Sequence, residues 1–532
     1  MVRSYSDDPS AARIGTPETT QTGMAAGARL HLVALGVVLS LATVLLCHDI
    51  TEPFTGLHDW QSAFMSTAAR NHLRYGYATT HLGVVENGDV VPVAWFRYDP
   101  DHPPLVPILV SLSFRVFGEH EWSARLVPIV LTLGSTVLVY LLGNALAGPR
   151  LGLVSAFIYA FLPMNAYFGR MVSHEAPTSF FALAMALAYL HWHRTRRPMY
   201  FGLALSAFVL GALCDWPAYY LAGILPLHHV VSGGRHRTWK VFVFPITAIL
   251  LFGLHLAHVY WLRGPMGLTY LGSKFLFRTK LQVTPALEAL GITPSAATFT
   301  WSEFLIKGLK QADILFTPVV LVLAALALYD LIRRRGVAGS SDPLFLMALL
   351  LFGITNVALF PQAAWQHEYS LFYCSAPLAL VAGTGALSLG WKAPQLRALG
   401  ILGVLFVHGA LLRTRTLYRL HNHDITRLAP LVKQYTRPGE QVITNAMAIY
   451  GEAPQIAYYA GRDVSGPVVQ TWQLQHQLAA DRQRPSAYIL SEEEPGWAEL
   501  GPWLSSRYSG QRGDFLGKRY HVFHIPPIRD SL

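Results

Sequence analysis

Residues 102–117 read HPPLVPILVSLSFRVF, and how this stretch meets a bilayer decides the fold. It is apolar but short, opens on Pro103-Pro104, and carries Pro107 and Arg115. Crossing a hydrocarbon core of about 30 Å takes about 20 apolar residues. The stretch therefore reads as a helix lying at the interface, entered through an extended segment that the prolines impose. A true span here would invert every connector downstream.

The connectors test that reading. Outside the interfacial stretch, apolar runs occupy Leu30–Cys47 and residues 122–146, 151–169, 178–193, 199–215, 217–231, 240–262, 313–332, 343–360, 371–390 and 396–412. They make about eleven transmembrane helices, several of them short. No small-residue cleavage site follows Leu30–Cys47, so it reads as a retained helix. With the N-terminus inside, the cytoplasmic connectors hold Arg150, then Arg194, Arg196 and Arg197, then Arg235, Arg237 and Lys240, then Arg333, Arg334 and Arg335, then Lys392 and Arg397. The opposite short connectors, around Ser173, Pro217 and Gln366, are poor in Lys and Arg apart from Arg170. That asymmetry is the positive-inside pattern, and a twelfth span would break it.

Composition agrees. The chain is 52% hydrophobic and only 14% charged, far on the membrane side of soluble proteins. Its formal charge of +10 does not imply nucleic acid, because the basic residues cluster between apolar runs rather than along one face. Such clusters suit topology signals and anionic headgroups. The three cysteines, Cys47, Cys214 and Cys374, lie far apart in apolar stretches and form no metal-binding spacing.

The organisation follows. Residues 1–27 read as a disordered cytoplasmic tail. Residues 28–412 read as a transmembrane domain with long exoplasmic loops at 48–121 and 263–312. Within the first loop, Trp60–Tyr75 has an amphipathic pattern, and Asn87-Gly88 inside VVENGDVV predicts a type I′ hairpin. Residues 413–532 read as an exoplasmic α/β domain, with GEQVITN, SAYIL and RYHVFHI as strands.

By crossing count, Asp59 and Glu175 fall on the same exoplasmic side, each near a helix end. Two carboxylates at one mouth can do acid/base work, or each can simply cap a helix. His102, after Asp99-Pro100-Asp101, suits substrate or metal contact as well as a structural role. Arg170, Lys274 and Arg278 offer cations for a lipid-borne phosphate or for headgroups. His367, Glu368 and Tyr369 lie in an outer connector suited to an acceptor pocket or to loop capping. Asp215-Trp216 ends a helix at the outer face beside Tyr219 and Tyr220, and interfacial anchoring accounts for those aromatics.

Three segments then resemble the GT-C class of polyprenyl-phosphate-sugar glycosyltransferases, which includes protein O-mannosyltransferases and lipid A aminoarabinose transferases. They are GLHDWQSAFMSTAARNHLRYG (56–76), HPPLVPILVSLSFRVFGEHEWSARLVP (102–128) and NAYFGRMVSHEAP (165–177). The resemblance covers roughly the first 200 residues and is diffuse, resting on order and spacing. It implies a membrane enzyme that moves a sugar from a polyprenyl-phosphate donor to an acceptor hydroxyl, with inversion, on the exoplasmic face of a bacterial inner membrane. By the resemblance Asp59 matches the catalytic base, Glu175 the acidic residue of the second outer loop, and Arg170 a donor-phosphate contact. Many mannosyltransferase relatives carry an acidic pair where this chain has Asp59-Trp60. A divalent metal, if one is used, would need His58 or His102, so metal dependence stays open. The implied partners are the lipid-linked donor, a protein, lipid or glycan acceptor, and membrane lipids. The alternative from another class is a multi-span transporter or flippase for a lipid-linked or small solute. The lack of an internal repeat, and candidate charges in outer loops rather than mid-membrane, favour the enzyme.

Overall fold

The computed structural model describes residues 17–232, 238–280, 299–334, 343–390, 392–515 and 517–527. Residues 1–16 of the expected tail, Arg235, Arg237 and Arg335, and residues 281–298 of the second long loop lie outside them. Helix α1 runs Pro17–Leu46, so helix begins inside the stretch assigned to a tail. Then come α2 (Trp60–Tyr75), α3 (Leu105–Phe117), α4 (Glu121–Ala147), α5 (Pro149–Phe161), α6 (Pro163–Phe168), α7 (Glu175–Thr195), α8 (Pro198–Ala212), α9 (Ala218–Val231) and α10 (Val243–Arg278).

Helix α3 has the expected two-sided character. Val106, Val110 and Phe114 recur at four-residue spacing and join Phe54, Ala63, Met65 and Ala69 of the first long loop in one apolar cluster. Leu112, Val116 and Phe117 stay exposed on its other side. At 13 residues the helix is about 20 Å long, too short to cross a bilayer. It stops at Gly118, whose positive φ of 82° ends the helix without a Cβ penalty.

Among the described residues five helices are long and apolar enough to cross a membrane, and a sixth candidate is the pair Trp301–Phe316 and Pro318–Leu331, bent by 105°. Shorter apolar helices such as α5, α8 and α9 stand beside them. The chain is an integral membrane protein of mostly helical build. The apolar run at 240–262 does not end where its hydropathy does. Helix α10 kinks at Gly264 (φ 60°, ψ −158°), ahead of Pro265, and continues to Arg278. Proline removes an N–H from the helical ladder, and glycine takes the left-handed backbone that the break demands. The second half therefore carries Lys274 and Arg278 on rigid helix, where the sequence suggested loop.

The C-terminal domain has the expected α/β build. Its five strands are β3 (Gln441–Thr444), β4 (Asp463–Ser465), β5 (Ser486–Ser491), β6 (Gly510–Phe515) and β7 (Lys518–Ile525), in the order β4-β3-β5-β7-β6. β3, β4 and β5 are parallel, and β7 and β6 are antiparallel additions. Alternate residues feed two cores: Val442 and Val522 on one face, Ile443 and Phe523 on the other.

The hairpin expected at Asn87-Gly88 does not form. Val84–Val85 (β1) pairs with Tyr98–Asp99 (β2) instead. Asn87 donates to Asp463 Oδ2 (2.8 Å) and accepts from Arg97 N (2.7 Å), while Gly88 N donates to Asp463 Oδ1 (2.7 Å). A Cβ on Gly88 would sit 2.4 Å from the Ala457 carbonyl oxygen. The Asn-Gly pair thus allows close approach of the C-terminal domain rather than a tight turn. Tyr459 adds a second tie, accepting from Phe54 N (2.7 Å) and donating to Glu121 (2.9 Å).

Candidate active site

One cavity of about 630 Å³ opens where several connectors converge. Residues 99, 101–102, 174–175, 215–217, 366–367 and 369–370 reach it, so the helix ends they join share one face of the molecule. The kinked half of α10 supplies Lys274, Phe277 and Arg278, and the C-terminal domain supplies Tyr450 and Pro454.

At its centre the His102 ring lies between two carboxylates. Nδ1 is 2.9 Å from Asp215 Oδ1, and Nε2 is 3.1 Å from Asp101 Oδ2. Burial opposes a charge on this ring, but Asp101 and Asp215 outweigh it and push its pKa up to about 10. His102 is therefore a cation at neutral pH. Lys274 Nζ and Arg278 Nη2 each lie 2.7 Å from Asp101 Oδ2. Burial works against the Asp101 charge too, yet His102, Lys274 and Arg278 hold its carboxyl well below the usual range. Asp215 also accepts from Tyr373 (3.1 Å) and from Trp216 N (2.7 Å). His102, Lys274 and Arg278 set three cations against Asp101 and Asp215, and Glu86, Asp99 and Glu175 line the same cavity, so cationic donors and carboxyls face one another across it.

Two side chains beside it each keep one buried polar atom without a hydrogen-bond partner. His174 stacks on His102 with ring centroids 4.1 Å apart, and its Nδ1 lies 2.9 Å from the Cys214 carbonyl oxygen. A carbonyl only accepts, so Nδ1 carries the proton and Nε2 is a bare acceptor with no partner. Burial and the His102 charge push the His174 pKa down to about 3, which keeps the ring neutral. Glu175, at the first residue of α7, has an unpartnered buried Oε2, and burial pushes its pKa up to about 7. A carboxylate poised there can take up and release a proton at neutral pH.

Of the residues singled out in the sequence, Glu175, His102, Lys274, Arg278, His367 and Tyr369 line this cavity. Burial and neighbouring charge lower the His367 pKa to about 4, and its Nδ1 has no partner. Glu368 turns away from the cavity, 2.6 Å from His58 Nε2. The other two residues lie elsewhere. Asp59 and Arg170 line a separate, much smaller pocket with Tyr167, Tyr418 and His421. Asp59 Oδ1 accepts from Ser62 (2.8 Å), and Oδ2 accepts from Gly56 N (3.1 Å) and Arg125 Nη2 (3.1 Å). Arg170 donates to the His48 carbonyl and packs over the Tyr418 ring. A connector that places one residue at the cavity can turn its neighbour away, and Trp60 and Gln61 take the lining position next to Asp59.

Sequence reasoning missed Asp101, Asp215, His174 and Tyr373 as members of the site. A usable signal existed: Asp215 and His174 are polar residues at helix ends in connectors poor in basic residues. Metal binding is a poor fit. Asp101 and Asp215 face the cavity already paired with His102, Lys274, Arg278 and Tyr373, and among the described residues no group of three or more His, Cys, Asp or Glu side chains is set to hold an ion.

Comparison with known proteins supports the resemblance drawn from the sequence. Residues 101–261 match the family described as dolichyl-phosphate-mannose-protein mannosyltransferase. Two uncharacterised proteins of Aquifex aeolicus align at 25% identity over 195 residues and 33% over 109, covering 35% and 19% of this chain. The aligned stretches span only 36% and 26% of those relatives. Among solved structures, ArnT from Cupriavidus metallidurans bound to undecaprenyl phosphate has a TM-score of 0.61 at 11% identity, covering 94% of this chain and 99% of that one. The Archaeoglobus fulgidus oligosaccharyltransferase AglB, in complex with an inhibitory peptide and a dolichol-phosphate, has a TM-score of 0.58 at 11% identity, covering 93% and 74%. Mycobacterial arabinofuranosyltransferase AftD gives 0.53 at 14% identity, covering 94% and 40%. The chain has the GT-C fold that these structures share.

Proposed function

We propose that this protein is a membrane glycosyltransferase that moves a sugar from a polyprenyl-phosphate donor to an acceptor hydroxyl on the exoplasmic face, with inversion. The observation that carries the reading is the pairing inside one cavity of a cationic cluster with an unpartnered carboxyl. His102, Lys274 and Arg278 suit a phosphate, and Glu175 beside them suits proton removal. Undecaprenyl phosphate, named with ArnT, and dolichol-phosphate, named with AglB, are lipid phosphates of the class this cluster would hold.

In this mechanism the donor phosphate lies against Lys274 and Arg278, partly drawing them from Asp101. The acceptor oxygen attacks the anomeric carbon while its proton passes to Glu175. The bond from that carbon to the phosphate oxygen breaks, and its electron pair stays on polyprenyl phosphate. The cations stabilise that leaving charge. One displacement inverts the anomeric centre. His174 Nε2 accepts from a sugar hydroxyl and orients it. Asp59, to which the family resemblance gives the base, acts here as a positioning residue. It holds Arg125 and the entry to α2, and through Ser62 reaches Val172 N on the connector that leads to Glu175.

The test is transfer from labelled polyprenyl-phosphate sugar by purified protein in lipid, comparing wild type, Glu175→Gln and Asp59→Asn. Loss with the first and retention with the second is the expected result. Loss with Asp59→Asn in a correctly folded protein, with Glu175→Gln active, would return the base to Asp59.

A further inference from the structure

The C-terminal domain reaches the cavity at one edge of its sheet. β3 leads through Asn445 into a short helix, α11 (Met447–Tyr450), and Tyr450 lines the cavity. β4 runs parallel beside β3, with Gln441 opposite Asp463 and Ile443 opposite Ser465, so both strands end on that same edge. Neighbouring strands lie about 4.8 Å apart, which puts the exit of β4 next to the exit that feeds the cavity. The exit of β4, Ser465–Val468, and helix α12 (Thr471–Ala480) enclose a second, open groove of about 470 Å³. In open α/β sheets the carboxyl ends of the strands are where ligands bind.

The lining has a definite chemistry. Trp472 and His476 stand one helical turn apart and are both exposed, Trp472 at 63%. The indole N–H donates to Gln470 Oε1 at 2.7 Å, which fixes the ring and leaves its face open. Gln473 and Gln477 repeat the same spacing beside them, and the Gln477 amide donates to the Ser465 hydroxyl. Among the described residues, no Asp, Glu, Lys or Arg lines the groove. A flat aromatic face meets the C–H face of a pyranose ring, and amides and hydroxyls meet its hydroxyls. The absence of charge argues against a phosphate, an acidic polymer or a basic peptide.

We propose that this groove binds a neutral oligosaccharide, the body of an acceptor glycan whose terminal hydroxyl is delivered past Tyr450 to the cavity. The word acceptor rests on the transferase reading above; the binding itself does not.

The experiment uses the full chain in lipid nanodiscs, labelled with 5-fluorotryptophan, with Trp472→Phe assigning the Trp472 resonance. Mannohexaose, maltohexaose and cellohexaose are titrated in turn at millimolar concentration, and an uncharged Ser/Thr-rich peptide serves as the competing ligand. The expected result is a saturable shift of the Trp472 resonance with at least one hexasaccharide, weakened about tenfold by His476→Ala. Trp472→Ala, an exposed change, should keep the wild-type unfolding temperature and lose the binding. No shift with any of the three saccharides overturns the proposal, as does a shift with the peptide alone. A saccharide-dependent shift in a protein that transfers no sugar would sink the transferase reading and leave the groove standing. Transfer without any such shift would do the reverse.

Discussion

Asp59 and Glu175 make an instructive pair. Each stands at the start of a helix, and each is nearly buried, at 8% and 7% exposure. Their surroundings differ in one respect. Both oxygens of Asp59 are filled, by Ser62, the Gly56 amide and Arg125. One oxygen of Glu175 has no partner, and burial lifts its pKa to about 7. A buried carboxylate with every lone pair engaged holds the chain in place. A buried carboxyl left short of partners costs stability and is kept where chemistry needs it.

The comparison breaks most directly at Glu175. Glu175→Gln is expected to lower kcat by a factor of about 10² to 10⁴, the usual worth of a positioned base, with donor binding intact. A loss below tenfold in single-turnover transfer would remove Glu175 from proton removal. The pH profile is the next largest effect. The base must be ionised, so kcat/KM should rise about tenfold per pH unit up to about pH 7 and level off above it. A profile flat between about pH 5.5 and about pH 8.5 would contradict a base of that pKa. Lys274→Met should weaken polyprenyl-phosphate binding about tenfold, or about 1.4 kcal/mol, measured by equilibrium binding in nanodiscs. Unchanged affinity would take the phosphate away from this cluster.

Asp59→Asn sharpens the other side, with the smallest effect on chemistry. It leaves Arg125, 1% exposed, with a less well matched partner. Removing one partner of a buried ion pair costs about 3–5 kcal/mol, so a clear fall in thermal stability is expected, while kcat of the folded protein stays within about threefold. Stability equal to wild type together with abolished turnover would reverse the roles assigned to the two acids.

Much of the fold was legible. The apolar runs, the basic connectors and the strand patterns of the tail all appear as local signals, and the short proline-opened stretch at 102–117 became a two-faced helix as its length implied. The cavity was legible in part. His102, Lys274 and Arg278 were picked out singly, but nothing local says that Lys274 and Arg278 share Asp101 with His102. That arrangement depends on the Gly264 break, which swings the end of α10 over the connectors. The Asn-Gly signal misled because Asn87 and Gly88 are engaged by Asp463, 376 and 375 residues further along the chain.

Hydropathy and charge asymmetry act residue by residue, since each segment must satisfy the bilayer by itself, and so the sequence alone determined that this is a polytopic membrane protein with a C-terminal α/β domain. Which acid is satisfied and which is left free was decided only by tertiary structure. Hydrogen-bond partners come from distant elements, and a carboxyl's charge depends on the partners that folding brings to it.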